Sequence, residues 1–135
     1  LFLIPIFGQY LFKSNMVAID RAGGTKTMRS MLEKVRIKLE SGSSIIIFPE
    51  GTRKAPGSKP AYKTGFIGIY NHTKKKILPV AVNSGLCWPK HSWILKNGTI
   101  TIEILPIIYE NYDKKTVLNK VQESIEVASN KLLTY

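Results

Sequence analysis

The stretch SIIIFPEGTR, residues 44–53, decides the fold of this chain. Its apolar run of three isoleucines and a phenylalanine is typical of a buried strand. Pro49 ends that strand, because proline has no N–H for a ladder. Residues 50–53 then supply a carboxylate, a glycine, a hydroxyl and a guanidinium on the turn after the strand, where open α/β sheets place their sites. A glycine there lets a ligand approach the backbone, and Arg53 has the fork geometry for a phosphate.

The elements around this stretch predict an α/β fold. A short strand at residues 15–20 and the strand at 45–48 flank a predicted helix from Thr25 to Glu40, which favours parallel pairing. Ser41-Gly42-Ser43 ends that helix. Further predicted elements are a helix at 64–73, a buried strand at 77–82, a half-buried strand at 99–105 and an amphipathic helix at 114–133. We therefore expect one domain over residues 1–135, with a mixed, largely parallel sheet flanked by helices.

The composition indicates anionic partners. Twenty Lys and Arg against nine Asp and Glu give a net charge of +11, which favours nucleic acid, phosphorylated small molecules or an anionic membrane. A single cysteine, Cys87, excludes an internal disulfide and a cysteine-based zinc site. We expect this thiol to be packed near Trp88. No Gly-rich loop with Lys-Ser/Thr is present, which argues against a nucleotide enzyme.

Four segments together resemble the glycerolipid acyltransferase family, whose members acylate glycerol 3-phosphate and 1-acylglycerol 3-phosphate. FPEGTR at residues 48–53 matches the family's third block completely, and KTGF at 63–66 is similar to the segment that follows it. VAIDR at 17–21 resembles the second block, and ILPVAVNSG at 77–85 resembles the fourth. The resemblance covers roughly residues 1 to 108, with three blocks in the family's order.

The resemblance implies a binding site for the acceptor's phosphate. It assigns Gly51, Thr52 and Arg53 to that phosphate, and Thr52 can donate its hydroxyl. Arg21 would form the second half of the clamp, since two arginines suit one dianion. Glu50 would orient Arg53 or another arginine, or accept a hydrogen bond from the glycerol hydroxyl.

Pro79 lies within a predicted apolar strand, where proline indicates an edge or a bulge. The resemblance places its block at acyl-donor binding or in packing around the site. The donor would be acyl-coenzyme A or acyl carrier protein, and no metal or bound cofactor is implied. The acceptor would be a 1-acylglycerol 3-phosphate (lysophosphatidic acid), and the product phosphatidic acid.

The family's catalytic block is absent from these 135 residues. That block contains a His and an Asp separated by four residues, upstream of the second block. Neither His72 nor His91 has an Asp at that spacing, so this chain is expected to be the later part of an acyltransferase, without its general base and inactive alone. We assign both histidines to structure or surface.

The apolar segment 1–12 is too short for a transmembrane helix and is interrupted by Pro5 and Gly8. It is interpreted either as a core segment or as an interfacial element in lipid. Substrate lipids of the family come from the bilayer, so we expect association with the cytoplasmic face of an anionic membrane.

A basic non-catalytic module that binds anionic membrane or phosphorylated ligands is the alternative function. Lys54, Lys59, Lys63 and residues 74–76 would supply its charge, or form a solvated surface. No nucleic-acid motif is present, so nucleic acid is not an expected partner.

Overall fold

A computed structural model describes Val17 and residues 24–109 and 112–134 of the chain. The chain divides into two compact units, Leu1–Ile45 and Ile46–Tyr135. The prediction that residues 1–135 form a single domain stays a prediction. The helices and strands are, in order, α1 (Gly24–Glu40), α2 (Gly65–Thr73), β1 (Val80–Val82), α3 (Ser84–Cys87), β2 (Ile102–Ile104) and α4 (Lys114–Lys131), followed by a 3₁₀ turn (Leu132–Thr134).

Helix α1 in the first unit has the predicted extent and end. Met31 and Val35, four residues apart, are buried, as the helical spacing of its apolar residues requires. On its exposed surface Arg36 pairs with Glu33 and with Glu40, three and four residues away. The helix ends before Gly42, whose φ of +85° is the left-handed conformation that glycine adopts at helix ends.

The core of the second unit lies between α2 and α4. Phe66, Ile67 and Tyr70 of α2 pack with Val117 and Val121 of α4. Apolar residues of each helix recur three or four positions apart, so both helices present one apolar face to the other. This confirms the two predicted helices.

Helix α4 begins at a capped N-terminus. The Asp113 carboxylate accepts hydrogen bonds from the backbone N–H groups of Lys115 and Thr116 at 3.0 and 3.3 Å. These groups have no partner within the helix, which is why aspartate is favoured here. Hydrogen bonds from Thr116 lower the pKa of the Asp113 carboxyl.

The described part of the chain contains one sheet of two antiparallel strands. Val80 lies opposite Ile104, and Val82 opposite Ile102. Since opposite residues share a face, these four side chains form an apolar outer surface, each at least 40% exposed. On the other face Ala81 is fully buried and packs with Ala128 and Leu132.

This sheet corrects part of the predicted fold. A mixture of helices and strands is present, but a largely parallel sheet is not shown by the described residues. The connection from β1 folds back on itself, with Lys96 N–H donating to the Cys87 carbonyl at 2.8 Å, so β2 returns antiparallel to β1. The predicted strand at 77–82 narrows to Val80–Val82, with an isolated bridge between Ile77 and Ile108.

The predicted buried strand before Pro49 is wrong in this structure. Residues 43–48 form neither helix nor strand, and the side chains of Ile46 and Phe48 are 85% and 74% exposed. A strand needs a neighbour for its backbone N–H and C=O groups. Its predicted neighbour, residues 15–20, lies outside the described residues except for Val17, as does the apolar segment 1–12.

No helix in the described ranges is long and apolar enough to cross a membrane.

Candidate phosphate-binding site

Residues 49–63 form a surface loop that closes at its own base. The Gly51 N–H donates to the Phe48 carbonyl at 3.1 Å, which makes a turn with Pro49 in its second position, where its fixed φ is favoured. The Lys63 N–H then donates to the Pro49 carbonyl at 2.7 Å. This closure joins the two ends of the segment, so that residues 50–53 follow a turn whose base lies next to the start of α2. We call residues 49–63 the closed loop.

Gly51 occupies a position that suits glycine alone. Its φ is +69°, in the left-handed region. A β-carbon added there would lie 3.1 Å from Cγ of Lys63. The backbone at Gly51 therefore passes close to the returning end of the loop, and the turn that orients Thr52 and Arg53 depends on this glycine.

A hydrogen-bonded pair links the closed loop to α4. The Tyr62 hydroxyl donates to Oε1 of Glu126 at 2.8 Å. Burial, this hydrogen bond and the charges of Glu126 and Glu50 raise the pKa of the Tyr62 hydroxyl. The half-buried Glu50 therefore acts on Tyr62 through its charge.

Arg53 is held by an aromatic ring rather than by a carboxylate. Its guanidinium carbon lies 5.4 Å from the centroid of the Trp88 ring, a cation–π distance. Among the residues that the structure describes, no ion pair joins Arg53 to Glu50, so Glu50 does not orient it here. The side chains of Thr52 and Arg53 are exposed, and a guanidinium stacked in this way keeps its N–H edge available for an anion.

Contacts to three other elements fix the rest of the closed loop. The Pro60 carbonyl accepts a hydrogen bond from Nε2 of Gln122 in α4 at 2.9 Å. Pro56 lies against Gly85, where an added β-carbon would meet its ring at 3.1 Å. Gly57 faces Leu133 at the end of the chain. The loop is therefore anchored to α3, to α4 and to the 3₁₀ turn.

Pro79 is buried directly before β1. Its carbonyl accepts a hydrogen bond from Leu105 N–H at 3.0 Å, and its missing donor is tolerated at the first position of a two-stranded sheet. Arg21, the predicted second half of the clamp, lies outside the described residues.

Asn83 connects the strand that follows Pro79 to the C-terminal end of the unit. Its Nδ2 donates to the carbonyls of Thr99 and Leu132, both at 3.3 Å, and its Oδ1 accepts from Thr101 N–H at 2.7 Å. This 3% exposed side chain has its hydrogen bonds satisfied. It sets where β1 ends and α3 begins.

Sequence reasoning missed four of these contributors. Trp88 lies 35 positions from Arg53, and no periodicity connects them. Tyr62 and Glu126 are likewise distant in sequence. An asparagine at the end of an apolar strand, Asn83, was the one available signal. Within the described ranges no three His, Cys, Asp or Glu side chains form a group that could hold a metal ion.

Comparisons with known proteins agree with the resemblance seen in the sequence. The family model described as Acyltransferase matches residues 1–83, which include the exposed group at 50–53. A 1-acyl-sn-glycerol-3-phosphate acyltransferase of Cocos nucifera is 32% identical over 87% of this chain and 39% of its own length. Its counterpart in Limnanthes alba is 32% identical over 91% of this chain and 43% of its own length.

A bacterial relative shows the same relationship. The 1-acyl-sn-glycerol-3-phosphate acyltransferase of Pseudomonas aeruginosa is 28% identical over 93% of this chain and 49% of its own length. The chain thus spans from about two fifths to half of the length of these curated relatives. No solved structure gives a significant match. Because the family model covers more than half of the residues, this chain belongs to the acyltransferase family.

Proposed function

We propose that this chain is part of an enzyme that transfers an acyl group to the free hydroxyl of 1-acylglycerol 3-phosphate, giving phosphatidic acid. The observation that carries the proposal is the closed loop, which holds residues 49–53 of the FPEGTR block with Thr52 and Arg53 exposed. The names of the relatives favour this acceptor. Acyl-coenzyme A or acyl carrier protein would donate the acyl group, and no bound cofactor is needed.

Residues 50–53 of the closed loop would position the acceptor. Arg53, steadied by Trp88, would bind the phosphate through its N–H edge, and Arg21 would bind a second phosphate oxygen. Thr52 would donate its hydroxyl. Glu50 would accept a hydrogen bond from the glycerol hydroxyl or orient an arginine other than Arg53, since no ion pair joins Glu50 to Arg53 among the described residues. Fixing the phosphate in this way places the acceptor hydroxyl at reaction distance from the thioester.

The chemistry itself would depend on the His and Asp of the block that these 135 residues lack. In the enzyme that contains it, His would take the proton from the acceptor hydroxyl, assisted by Asp. The oxygen would attack the thioester carbon, a C–O bond would form, the C–S bond would break, and the thiol would leave with the proton. Losing a general base removes about 10²–10⁴-fold in rate. Acyl transfer above background by the 135-residue chain would contradict this assignment.

Phosphate binding can be tested without catalysis. Calorimetric titration with glycerol 3-phosphate should show binding that glycerol does not show. Arg53→Ala should weaken it by roughly tenfold or more, since charged hydrogen bonds are the strongest polar contacts. Arg29→Ala is the matched control, because Arg29 is an exposed arginine in α1. Equal losses in the two variants, or equal binding of glycerol, would overturn the assignment of Arg53.

Membrane association at the cytoplasmic face is also proposed, because a lysophosphatidic acid acceptor resides in a bilayer. A basic module that binds anionic ligands without catalysis is the second candidate, favoured by the net charge of +11. Adding the missing His–Asp segment of a relative to this chain separates the two, since acyl transfer by the joined protein excludes a purely binding role.

A further inference from the structure

The connection between β1 and β2 carries an exposed apolar tip. Trp93 is 99% exposed, and Ile94 and Leu95 are 76% and 66% exposed. We call these three consecutive residues the apolar tip. A single exposed apolar residue is ordinary, but three in succession with one tryptophan almost fully in solvent need a partner.

The tip stands on a closed and internally bonded base. Trp88 Nε1 donates to the Ser92 carbonyl at 2.9 Å. The Ser92 hydroxyl donates to the Ile94 carbonyl at 2.9 Å, and Ile94 N–H lies 3.1 Å from the same hydroxyl oxygen. The N–H and C=O groups of Ile94, in the middle of the tip, thus already have partners. A segment that enters a lipid interface needs this, because unsatisfied polar groups are costly there.

Positive charge flanks the tip on both sides. Lys90 precedes it and Lys96 follows it, and both side chains are exposed. Trp88, half exposed at the base, carries Arg53 on its ring. Tryptophan with flanking lysines is the composition that lies at the boundary between lipid tails and headgroups, with the amines at anionic headgroups.

We propose that the apolar tip inserts into the interface of an anionic bilayer and so docks the closed loop on the membrane surface. The partner of the tip is a lipid bilayer, because the three apolar side chains complement its acyl tails and the two flanking lysines complement its anionic headgroups. The inference deepens the proposed function, on which it rests for the presence of a bilayer-resident acceptor. Through Trp88, docking of the tip places Arg53 near the headgroup level, where such an acceptor carries its phosphate.

Trp93 itself is the probe for the test. The chain has two tryptophans, and Trp93→Phe leaves only Trp88, so an emission change that is lost in Trp93→Phe reports Trp93. Vesicles of phosphatidylcholine with phosphatidylserine should shift its emission to shorter wavelength, and lipids brominated on the acyl chain should quench it. Pure phosphatidylcholine vesicles should bind more weakly, because the lysines then lose their anionic partners.

Two matched double variants distinguish insertion of the tip from nonspecific adsorption of exposed apolar residues to vesicles. Ile94→Thr with Leu95→Thr should weaken vesicle binding in flotation by roughly tenfold or more, because two apolar side chains leave the lipid. Ile102→Thr with Ile104→Thr, on the outer face of β2 at 66% and 70% exposure, should leave it nearly unchanged. The helix-band circular dichroism of both variants should match that of the parent chain, which shows that the fold is kept.

Three results would overturn the inference. They are an equal loss in the control pair, no quenching of Trp93 by brominated lipid, or a protein-concentration-dependent emission shift without vesicles, which would assign the tip to a second copy of the chain. None of these readouts requires acyl transfer or phosphate binding. A chain that inserts but fails to bind glycerol 3-phosphate would therefore refute the proposed function alone.

Discussion

Gly51→Ala is the substitution whose effect the structure specifies most closely. An alanine at φ +69° enters the left-handed region, which costs a residue with a β-carbon about 1–2 kcal/mol. The new methyl group also meets Cγ of Lys63 at 3.1 Å. That atom belongs to an exposed, flexible side chain that can move away at little cost. We therefore expect a loss of about 1–2 kcal/mol in the free energy of unfolding, set by the backbone rather than by the contact.

Two other glycines of the same unit are matched controls. Gly57 has φ +74°, and an added β-carbon meets Leu133 only at an ordinary 3.5 Å, so Gly57→Ala isolates the backbone cost. Gly65 opens α2 with no positive φ and no atom within 4 Å of an added β-carbon. Gly65→Ala should stabilise by up to about 1 kcal/mol, because alanine is the better helix former.

Urea unfolding followed by circular dichroism at the helix band measures the series. Gly51→Ala and Gly57→Ala should lower the midpoint by similar amounts without changing the slope, and Gly65→Ala should raise it. The reasoning is refuted if Gly51→Ala is as stable as the parent chain, or if Gly65→Ala destabilises as much as the other two. A second effect is expected on glycerol 3-phosphate, whose binding should weaken in Gly51→Ala more than in Gly57→Ala.

Three further outcomes follow from the core and the caps. Val117→Ala should lower the free energy of unfolding by about 1–3 kcal/mol, because two methyl groups leave a fully buried position. Val127 on the same helix is 51% exposed, so Val127→Ala should change that free energy by less than about 0.5 kcal/mol in the same urea titration. Equal effects of the two substitutions would contradict the assigned core. Tyr62→Phe should lower the free energy of unfolding by about 1–3 kcal/mol through the lost hydrogen bond to Glu126. Since the folded pKa of this hydroxyl is raised above 10.0, its stabilisation is complete below pH 10 and declines above it. Tyr62→Phe should therefore lose less stability in alkali than the parent chain, and an identical alkaline profile would refute the link. Asp113→Ala should lower the free energy of unfolding near neutral pH, because the helix loses its cap. Since the folded pKa of Asp113 lies below 3.8, the difference in stability from the parent chain should shrink as the pH falls below that value. A stability difference that grows in acid would contradict the role of the cap.

The helices α1, α2 and α4 were predictable because each carries its own local signal. The end of α1 follows from Gly42, which adopts the left-handed turn without the steric cost of a β-carbon. The apolar spacing of α2 and α4 required a shared core, and Phe66, Tyr70 and Val117 form it. These elements depend on residues near in sequence, so a single chain contains the information.

The sheet was harder to predict because strand partners are set by distant contacts. The run before Pro49 has the residues of a buried strand, and Ile46 is nevertheless exposed in this structure. The residue types of a segment do not determine whether a second strand lies beside it to form hydrogen bonds. Pairing of β1 with β2 depends on how residues 83–101 fold back, which Asn83 helps to fix. The short helix α3 carries no signal of its own, since four residues show no periodicity.

The candidate site was predicted as a segment but not as a geometry. Residues 50–53 were recognisable from their order along the chain. That Arg53 lies on Trp88, and that Tyr62 bonds to Glu126, could not be predicted, because both contacts join residues that are distant in the sequence. The roles of these residues and of Pro79 and Arg21 in binding substrate stay predictions.

The anchoring of the closed loop by α4 imposes an order on biosynthesis. Tyr62 bonds to Glu126, 64 positions on, and Pro60 to Gln122, 62 positions on. A growing chain leaves the ribosome from its N-terminal end, so these partners emerge well after the loop, and such distant contacts form slowly. The loop therefore lacks its final shape until α4 has emerged. Until then the core side chains of α2 are open to chaperones and proteases.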